Sequence, residues 1–512
     1  MPVLGVLIKQ GLKFSQRVKR REQTPIQHQR RVLKKLLRTA EFTSFGKEYG
    51  FSEFYNERTF LRHFRDKVPV FNYNTMFEQW WKRCLEGEED VTWNGRVKYF
   101  ALSSGTSDSA SKHVPVTRDM IRALKKASIR QMLTLSKYDL PASFFEKGIL
   151  WLGGSTDLKK HSGYYEGDVS GISARRVPIW FQKYYKPGKK ISKEKDWSIK
   201  LDEITRQARE WDIGIITGVP SWVQLLMEKV ISHYQLKTIH DIWPNLQVYA
   251  HGGVSFEPYK KSFEKFFAHP IHYIEMYPAS EGFIAFQAEP NPPSGGMKLI
   301  LNNGIFYEFV LFDEKNFDAA GELLANPQTF LVNEIEEGKD YAILLTTCAG
   351  AWRYLIGDVL RFTSKENAEI VICGRTKHFL SLVGEHLSVD NMNKAVQQLS
   401  KDFNIEIPEY TVAGIPYEGT FAHKWYLGTN SNVDKNLLKH KLDSTLKELN
   451  DDYEVERRSA LKDVFVEIIP VQKFYTFMDG KGKLGGQNKF PRVMKTTQLE
   501  EWEKFLNMKS GI

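Results

Sequence analysis

Seven of the nine residues from 103 to 111 are serine, threonine or glycine: Ser103, Ser104, Gly105, Thr106, Ser107, Ser109 and Ser111. Closely spaced hydroxyls donate well to oxyanions, and Gly105 can turn the backbone so that successive N–H groups point into one concavity, a combination that suits phosphate oxygens. Lys112 adds a positive charge. The run is not a Walker A loop, because its lysine is preceded by Ala110-Ser111 and followed by His113. On these residues alone a solvated serine-rich connection fits equally well. Asp358 follows Gly357 among apolar residues, a setting for a carboxylate that accepts hydrogen bonds from vicinal hydroxyls such as those of a ribose, or for a plain turn aspartate. The stretch 479–492, DGKGKLGGQNKFPR, is too glycine-rich and basic for a packed turn. It reads as a mobile loop with an ammonium to deliver, or as an exposed flexible one.

The elements around these residues give them a frame. Val97, Tyr99 and Ala101 alternate as in a strand, and a helical pattern runs over 118–136 through Ile121, Leu124, Ser128, Met132 and Leu135. Thr117 is placed to cap that helix and Asp119 lies in its first turn. The expectation is strand, phosphate-type loop, helix. Apolar runs at 148–152, 213–216, 246–250 and 271–276 then lead into Gly153-Gly154-Ser155-Thr156, Thr217-Gly218-Val219-Pro220, His251-Gly252-Gly253 and Tyr277-Pro278-Ala279-Ser280-Glu281-Gly282, with helical patterns between most of them. Such alternation predicts an α/β sheet whose polar loops converge beyond the carboxyl ends of the strands. Runs at 305–312, 341–347 and 370–373 lack intervening long helices and predict a β-rich subdomain. From 379 onward, two helices near 391–401 and 435–449 alternate with strands near 410–412, 425–428 and 464–469, the pattern of a small α+β domain. We therefore expect a large N-terminal domain over 1–378 and a smaller, mobile C-terminal domain over 379–512.

Size and composition are those of a globular protein too long for one ordinary core, at 512 residues. The net charge of +10 is concentrated in a basic arm over 9–38, which reads as a solvated face and not as a membrane anchor. The apolar stretch 3–14 is too short and interrupted to span a bilayer. Cys84, Cys348 and Cys373 lie far apart, as buried thiols of a reducing compartment do, so the expected location is the cytoplasm; a monomer is expected. Residues 26–96 read as helical, with Leu33, Leu36, Leu37 and Trp80-Trp81 as core. Hydrolase chemistry is disfavoured: Ser109-Ala110-Ser111-Lys112 fits SxxK, but SDN, KTG, GxSxG and HExxH are absent. Nucleic-acid binding is disfavoured because the basic arm has no interleaved aromatics.

FTSFGKEYGF at 42, SSGT at 103, YPASEG at 277, YLIGD at 354, GRTKHF at 374 and GQNKFPR at 486 occur in this order and spacing. Together they resemble the adenylate-forming superfamily of acyl-CoA synthetases, nonribosomal peptide adenylation domains and luciferases, and more closely its Gretchen Hagen 3 branch, the acyl-acid amido synthetases. The resemblance implies an enzyme that uses ATP and Mg²⁺ to adenylate a carboxylic acid and then passes the acyl group to an amino acid. It also implies roles. Ser103, Ser104 and Thr106 match phosphate-loop hydroxyls, Tyr277 the aromatic residue beside the adenine, Ser280 a hydroxyl near the α-phosphate and Glu281 the carboxylate that holds Mg²⁺. Asp358 matches the ribose-binding aspartate and Arg375 the arginine near an interdomain hinge. Lys489 matches the lysine that approaches the nucleotide, with Lys483 in the same loop as the alternative. Ile121, Leu124, Lys125 and Ser128 fall on the helix that lines the acyl pocket. The chain departs from the superfamily pattern at Asp108, which would repel a triphosphate unless it turned away or met the metal, and at Pro278-Ala279. The rival readings are a CoA thioester synthetase and a catalytically silent nucleotide-binding protein of the same fold.

Overall fold

Local sequence sets the first long helix, Pro25–Ala40. The Thr24 hydroxyl accepts from the Gln27 backbone, the Gln27 side chain returns to the Thr24 backbone, and a proline occupies the first turn, where no N–H is missed. Its buried face is Leu33, Leu36, Leu37 and Ala40, and Trp80 and Trp81 are buried in the same core. The computed structural model describes residues 5–7, 9–11, 23–103, 112–175, 177, 181–318, 321–376, 379–380, 385, 387–418, 420–457, 461–481 and 490–507. The chain forms two compact units: residues 1–253, 267–312 and 326–371 make up one, and residues 254–266, 313–325 and 372–512 the other.

The first unit is built on a sheet of twelve strands. One side of it is parallel: Tyr185–Lys186, Gly148–Leu152, Ile213–Gly218, Val248–Gly252 and His272–Ala279 lie side by side in that order. Helices Trp197–Gln207 and Pro220–Tyr234 lie between these strands in sequence, as the crossover connections of a parallel sheet require. The sheet continues through Gly282–Phe286, Met297–Leu299, Glu369–Arg375, Tyr354–Ser364, Asp340–Thr347, Ile305–Leu311 and Thr329–Phe330. Here Gly282–Phe286 and Asp340–Thr347 are each antiparallel to both neighbours. A separate four-stranded sheet joins Lys112–Val116, Tyr99–Ser103, Tyr165–Gly167 and Lys159–Lys160.

The second unit has a sheet ordered Leu461–Ile469, Thr420–Gly428, Glu409–Tyr417, Val493–Met494, packed by helices Val389–Asp402 and Lys435–Leu449 over a core that includes Trp425, Leu438 and Leu442. The expected α/β part, β-rich part and small α+β part are all present.

Three local expectations are corrected. After residue 103 the chain does not pass straight from loop to helix: Lys112–Val116 pairs antiparallel with Tyr99–Ser103, since Val114 and Val116 bury their β-branched side chains, and only then does helix Arg118–Thr134 begin, capped by Thr117. The segment 277–279 is strand and not loop. Asp358 sits inside the strand Tyr354–Ser364 and not at a turn. Among the described residues no helix is long and apolar enough to cross a membrane.

Candidate functional site

The last parallel strand, His272–Ala279, turns back on itself into Gly282–Phe286, and the pairing of Ala279 with Gly282 leaves Ser280 and Glu281 as a two-residue turn. Gly282 is closely surrounded there: a Cβ would come within 2.6 Å of Ile305 Cδ1, which would have to turn aside, and 3.4 Å of Met120 Cε. Hairpin tips are normally solvated, yet Ser280 is 7% and Glu281 8% exposed. A carboxylate in a buried turn is costly unless the surroundings use it.

Tyr277, buried two positions before the turn's start at Ala279, donates its hydroxyl to the Asp358 carboxylate. Asp358 can meet it because its strand bulges. Val359 pairs with Ala342 and Leu355 with Leu344, so the residues between them are in excess, and Gly357 takes the left-handed φ of 86° that the bulge requires. Arg353, just before this strand, has a structural task. Its guanidinium grips Glu308 at 2.9 and 3.0 Å and donates to the carbonyl oxygens of Arg65 and Val68.

Ser103 ends the strand Tyr99–Ser103, and Lys112, whose ammonium lies 5.1 Å from the centroid of the Tyr73 ring, begins the return strand. Ser104, Thr106 and Asp108 lie outside the described residues, as do Lys483 and Lys489. The residues that flank the lysine stretch are anchored. Lys481 pairs with Glu501, and Phe490 packs against Phe474 and Trp502 with ring centroids 4.7 and 5.1 Å away. Arg375 ends the strand Glu369–Arg375 and is half-buried.

On the helix Arg118–Thr134, Ile121 and Leu124 are buried, Lys125 is exposed, and the half-buried Ser128 donates to the Leu124 carbonyl at 3.1 Å. This helix packs on Gly282–Phe286, the second arm of the Glu281 hairpin.

The GH3 family N-terminal domain matches residues 15–201 and 159–271, its central domain residues 298–375 and its C-terminal domain residues 390–498. The chain belongs to the GH3 family. An indole-3-acetic acid-amido synthetase of Arabidopsis thaliana is 28% identical over 182 residues, 34% of this chain and 33% of its own length. The alignments with the first curated GH3 relatives span between 31% and 46% of those proteins. A GH3.15 acyl acid amido synthetase solved in complex with 2,4-DB superposes with a TM-score of 0.75 at 18% identity, over 94% of this chain and 93% of that one. A 2-hydroxyisobutyryl-CoA ligase in the postadenylation state, in complex with 2-HIB-AMP, does so with a TM-score of 0.59 at 13% identity, over 93% and 91%. These likenesses show that the chain shares its fold with both enzymes.

Two buried polar residues of this GH3 chain carry no motif. His251 ends the apolar run Val248-Tyr249-Ala250, and burial pulls its imidazole down to about 3, so it stays neutral. Lys200 is buried beside the carbonyl of Gly153. The sequence signal for His251 is a polar residue within a fully buried strand; for Lys200 there is none, since a lysine on an amphipathic helix ordinarily faces water.

Proposed function

We propose that this GH3 protein is an ATP-dependent ligase that adenylates a carboxylic acid and transfers the acyl group to the amine of an amino acid. In the first step a carboxylate oxygen attacks the α-phosphorus and pyrophosphate departs. In the second, the amine nitrogen attacks the acyl carbon, the bond to AMP breaks, the amine loses a proton, and an amide remains. Family membership supports this reading, and one geometric observation carries it to the residues: the hydroxyl-to-carboxylate bond between Tyr277 and Asp358, with the buried Glu281 on the same hairpin as Tyr277.

In this reading Asp358 accepts from the ribose hydroxyls while the Tyr277 hydroxyl steadies it, a carboxylate having acceptor capacity for several donors. The Tyr277 ring lies beside the adenine and Ser280 near the α-phosphate, while Ser103, Ser104 and Thr106 donate to phosphate oxygens. Glu281 would hold Mg²⁺, which when bound offsets the phosphate charge. Among the described residues no cluster of three or more His, Cys, Asp or Glu side chains is arranged for a metal. That fits an ion held by one carboxylate and substrate oxygens, the usual habit of Mg²⁺. Ile121, Leu124, Lys125 and Ser128 serve the acid. Residues 1–378 bind ATP and acid, with Arg375 near the hinge, and residues 379–512 carry Lys489, or in its place Lys483, as the lysine that meets the transferring group. The buried Cys84, Cys348 and Cys373, kept as thiols, suit a cytoplasmic setting.

The test is pyrophosphate release with ATP and Mg²⁺ across a panel of carboxylic acids, each with amino acids, with CoA or with neither. Acid-dependent release that one amino acid accelerates is the expected result. Acceleration by CoA alone would move the protein to thioester synthesis, and ATP binding with no release for any acid would defeat the ligase reading.

A further inference from the structure

Lys200 lies in the first turn of helix Trp197–Gln207 and is only 2% exposed. Its ammonium donates to the Gly153 carbonyl at 3.3 Å and stands 4.8 Å from the centroid of the Trp197 ring. Among the described residues no carboxylate comes within ion-pair distance; Asp168 and Glu194 act on it only from farther away. An ammonium has three donors, and burying it with one carbonyl acceptor and an aromatic face is expensive. The cost is visible in its acidity: burial lowers it from 10.5 to about 8, against the pull of the two acids.

The ammonium borders a recess lined also by Gly153, Gly154, Ser170, Tyr185 and Ser192. The recess is shallow, about 230 Å³ of non-atom space with the open solvent at its mouth included, so a bound group would sit largely in that mouth. Tyr185 Oη and Ser192 Oγ, 3.3 Å apart, place further hydroxyls in the same wall. Gly153 follows directly on the strand Gly148–Leu152, so the recess opens at the carboxyl edge of the parallel strands, the edge from which the Glu281 turn also projects. Three interstrand steps separate the strands Gly148–Leu152 and His272–Ala279, roughly 14 Å at ordinary strand spacing. That is a span one extended organic substrate can bridge.

We propose that the Lys200 recess is a carboxylate-binding subsite for one of the two organic substrates: either the α-carboxylate of the acceptor amino acid or a second carboxylate of the acyl acid. The identity of the source rests on the ligase reading above; the existence of the subsite does not. A carboxylate supplies the acceptors that the buried ammonium lacks, and the Tyr185 and Ser192 hydroxyls line the same recess.

Thermal unfolding of the full chain, followed with glycine, alanine, glutamate, acetate, succinate and inorganic phosphate as separate probes, reads the subsite without turnover. The expected result is a rise in melting temperature that Lys200→Met and Ser192→Ala both diminish. Stabilisation by amino acids assigns the α-carboxylate, and stabilisation by succinate but not acetate assigns a dicarboxylic acid. No stabilisation by any carboxylate, stabilisation that survives in both variants, or stabilisation by phosphate alone overturns the proposal. Lys200→Met removes a poorly paired buried charge, so the variant should fold at least as well as the parent. In the pyrophosphate assay it should raise KM for the matching organic substrate about tenfold, the loss expected for one hydrogen bond to a charged group, with KM for ATP unchanged. A rise confined to ATP would sink the idea.

Discussion

Arg353 and Asp358 belong to one stretch of chain and are spent differently. Arg353 is buried and bound on every side, with Glu308 as its counter-charge and Thr329 Oγ1 at 3.1 Å beyond the two backbone carbonyls. Removing Glu308 leaves a guanidinium buried without its carboxylate, so Glu308→Ala should cost about 3–5 kcal/mol of stability, read from denaturant unfolding. A loss under about 1 kcal/mol would show that water or another acid takes over, the behaviour of a surface pair. Asp358 is half-buried and held by the Tyr277 hydroxyl. Asp358→Asn keeps the size and an acceptor but loses the charge. We expect little change in unfolding and a rise of about tenfold in KM for ATP, the value of a hydrogen bond to a charged group. An unchanged KM would remove Asp358 from the nucleotide site.

At the scale of elements, the serine-rich connection springs from a hairpin that one carboxylate ties to its neighbours. Glu166, on the strand Tyr165–Gly167 beside Tyr99–Ser103, has His113 Nε2, Lys159 Nζ and His161 Nε2 each at 3.0 Å. Burial would raise its pKa, but the adjoining His161, Lys159 and His113 outweigh that and take it from 4.5 to about 2. The folded value is depressed, so Glu166 adds stability that is complete above about 4.5 and is lost as the pH falls towards 2. Glu166→Gln should therefore lower the melting temperature at neutral pH, and the gap from the parent should close across that acid window. Parallel curves would mean that the charge of Glu166 is not what holds the hairpin. These elements differ in how far the sequence discloses them. The parallel strands were legible because short, mostly apolar runs end each time in glycine or hydroxyl residues, and the Thr117 cap announced its helix. The return strand Lys112–Val116 was not, since its hydrogen bonds are made to residues across the serine-rich stretch and its alternation spans only Val114 and Val116. The Asp358 bulge looked like a turn because glycine serves both, and only pairing with Asp340–Thr347 separates them. The hydroxyls, Glu281 and Asp358 stood out by type and order. Lys200 did not, because its burial depends on a recess that no local pattern encodes.

The whole molecule is less linear than its chain. Residues 254–266 fall in sequence between the parallel strands Val248–Gly252 and His272–Ala279, yet they pack with 372–512. The helix Glu257–Glu264 lies on Val389–Asp402. The Tyr259 hydroxyl donates to Glu409 Oε1 at 2.5 Å, Arg492 donates to Glu409 Oε2 at 2.8 Å, and Lys261 donates to Asn404 Oδ1 at 2.6 Å. Phe256, Tyr259 and Phe263 are buried. At about 1.5–3 kcal/mol for each large apolar side chain buried, the three are worth roughly 5–9 kcal/mol, as much as the whole net stability of many domains. A fragment consisting of 372–512 alone keeps Glu409 and Arg492 but loses Tyr259 between them, together with that apolar cover. We expect it to unfold over a broad range in calorimetry and to bind a hydrophobic dye, whereas the full chain melts cooperatively. In the full chain, Tyr259→Phe should cost only about 1.5–3 kcal/mol, because the ring remains and a single bond to a charged acceptor is removed. A sharp, dye-free transition in the isolated fragment would show instead that the later residues carry a sufficient core of their own, and that the inserted helix is an ornament on the second unit and not a part of it.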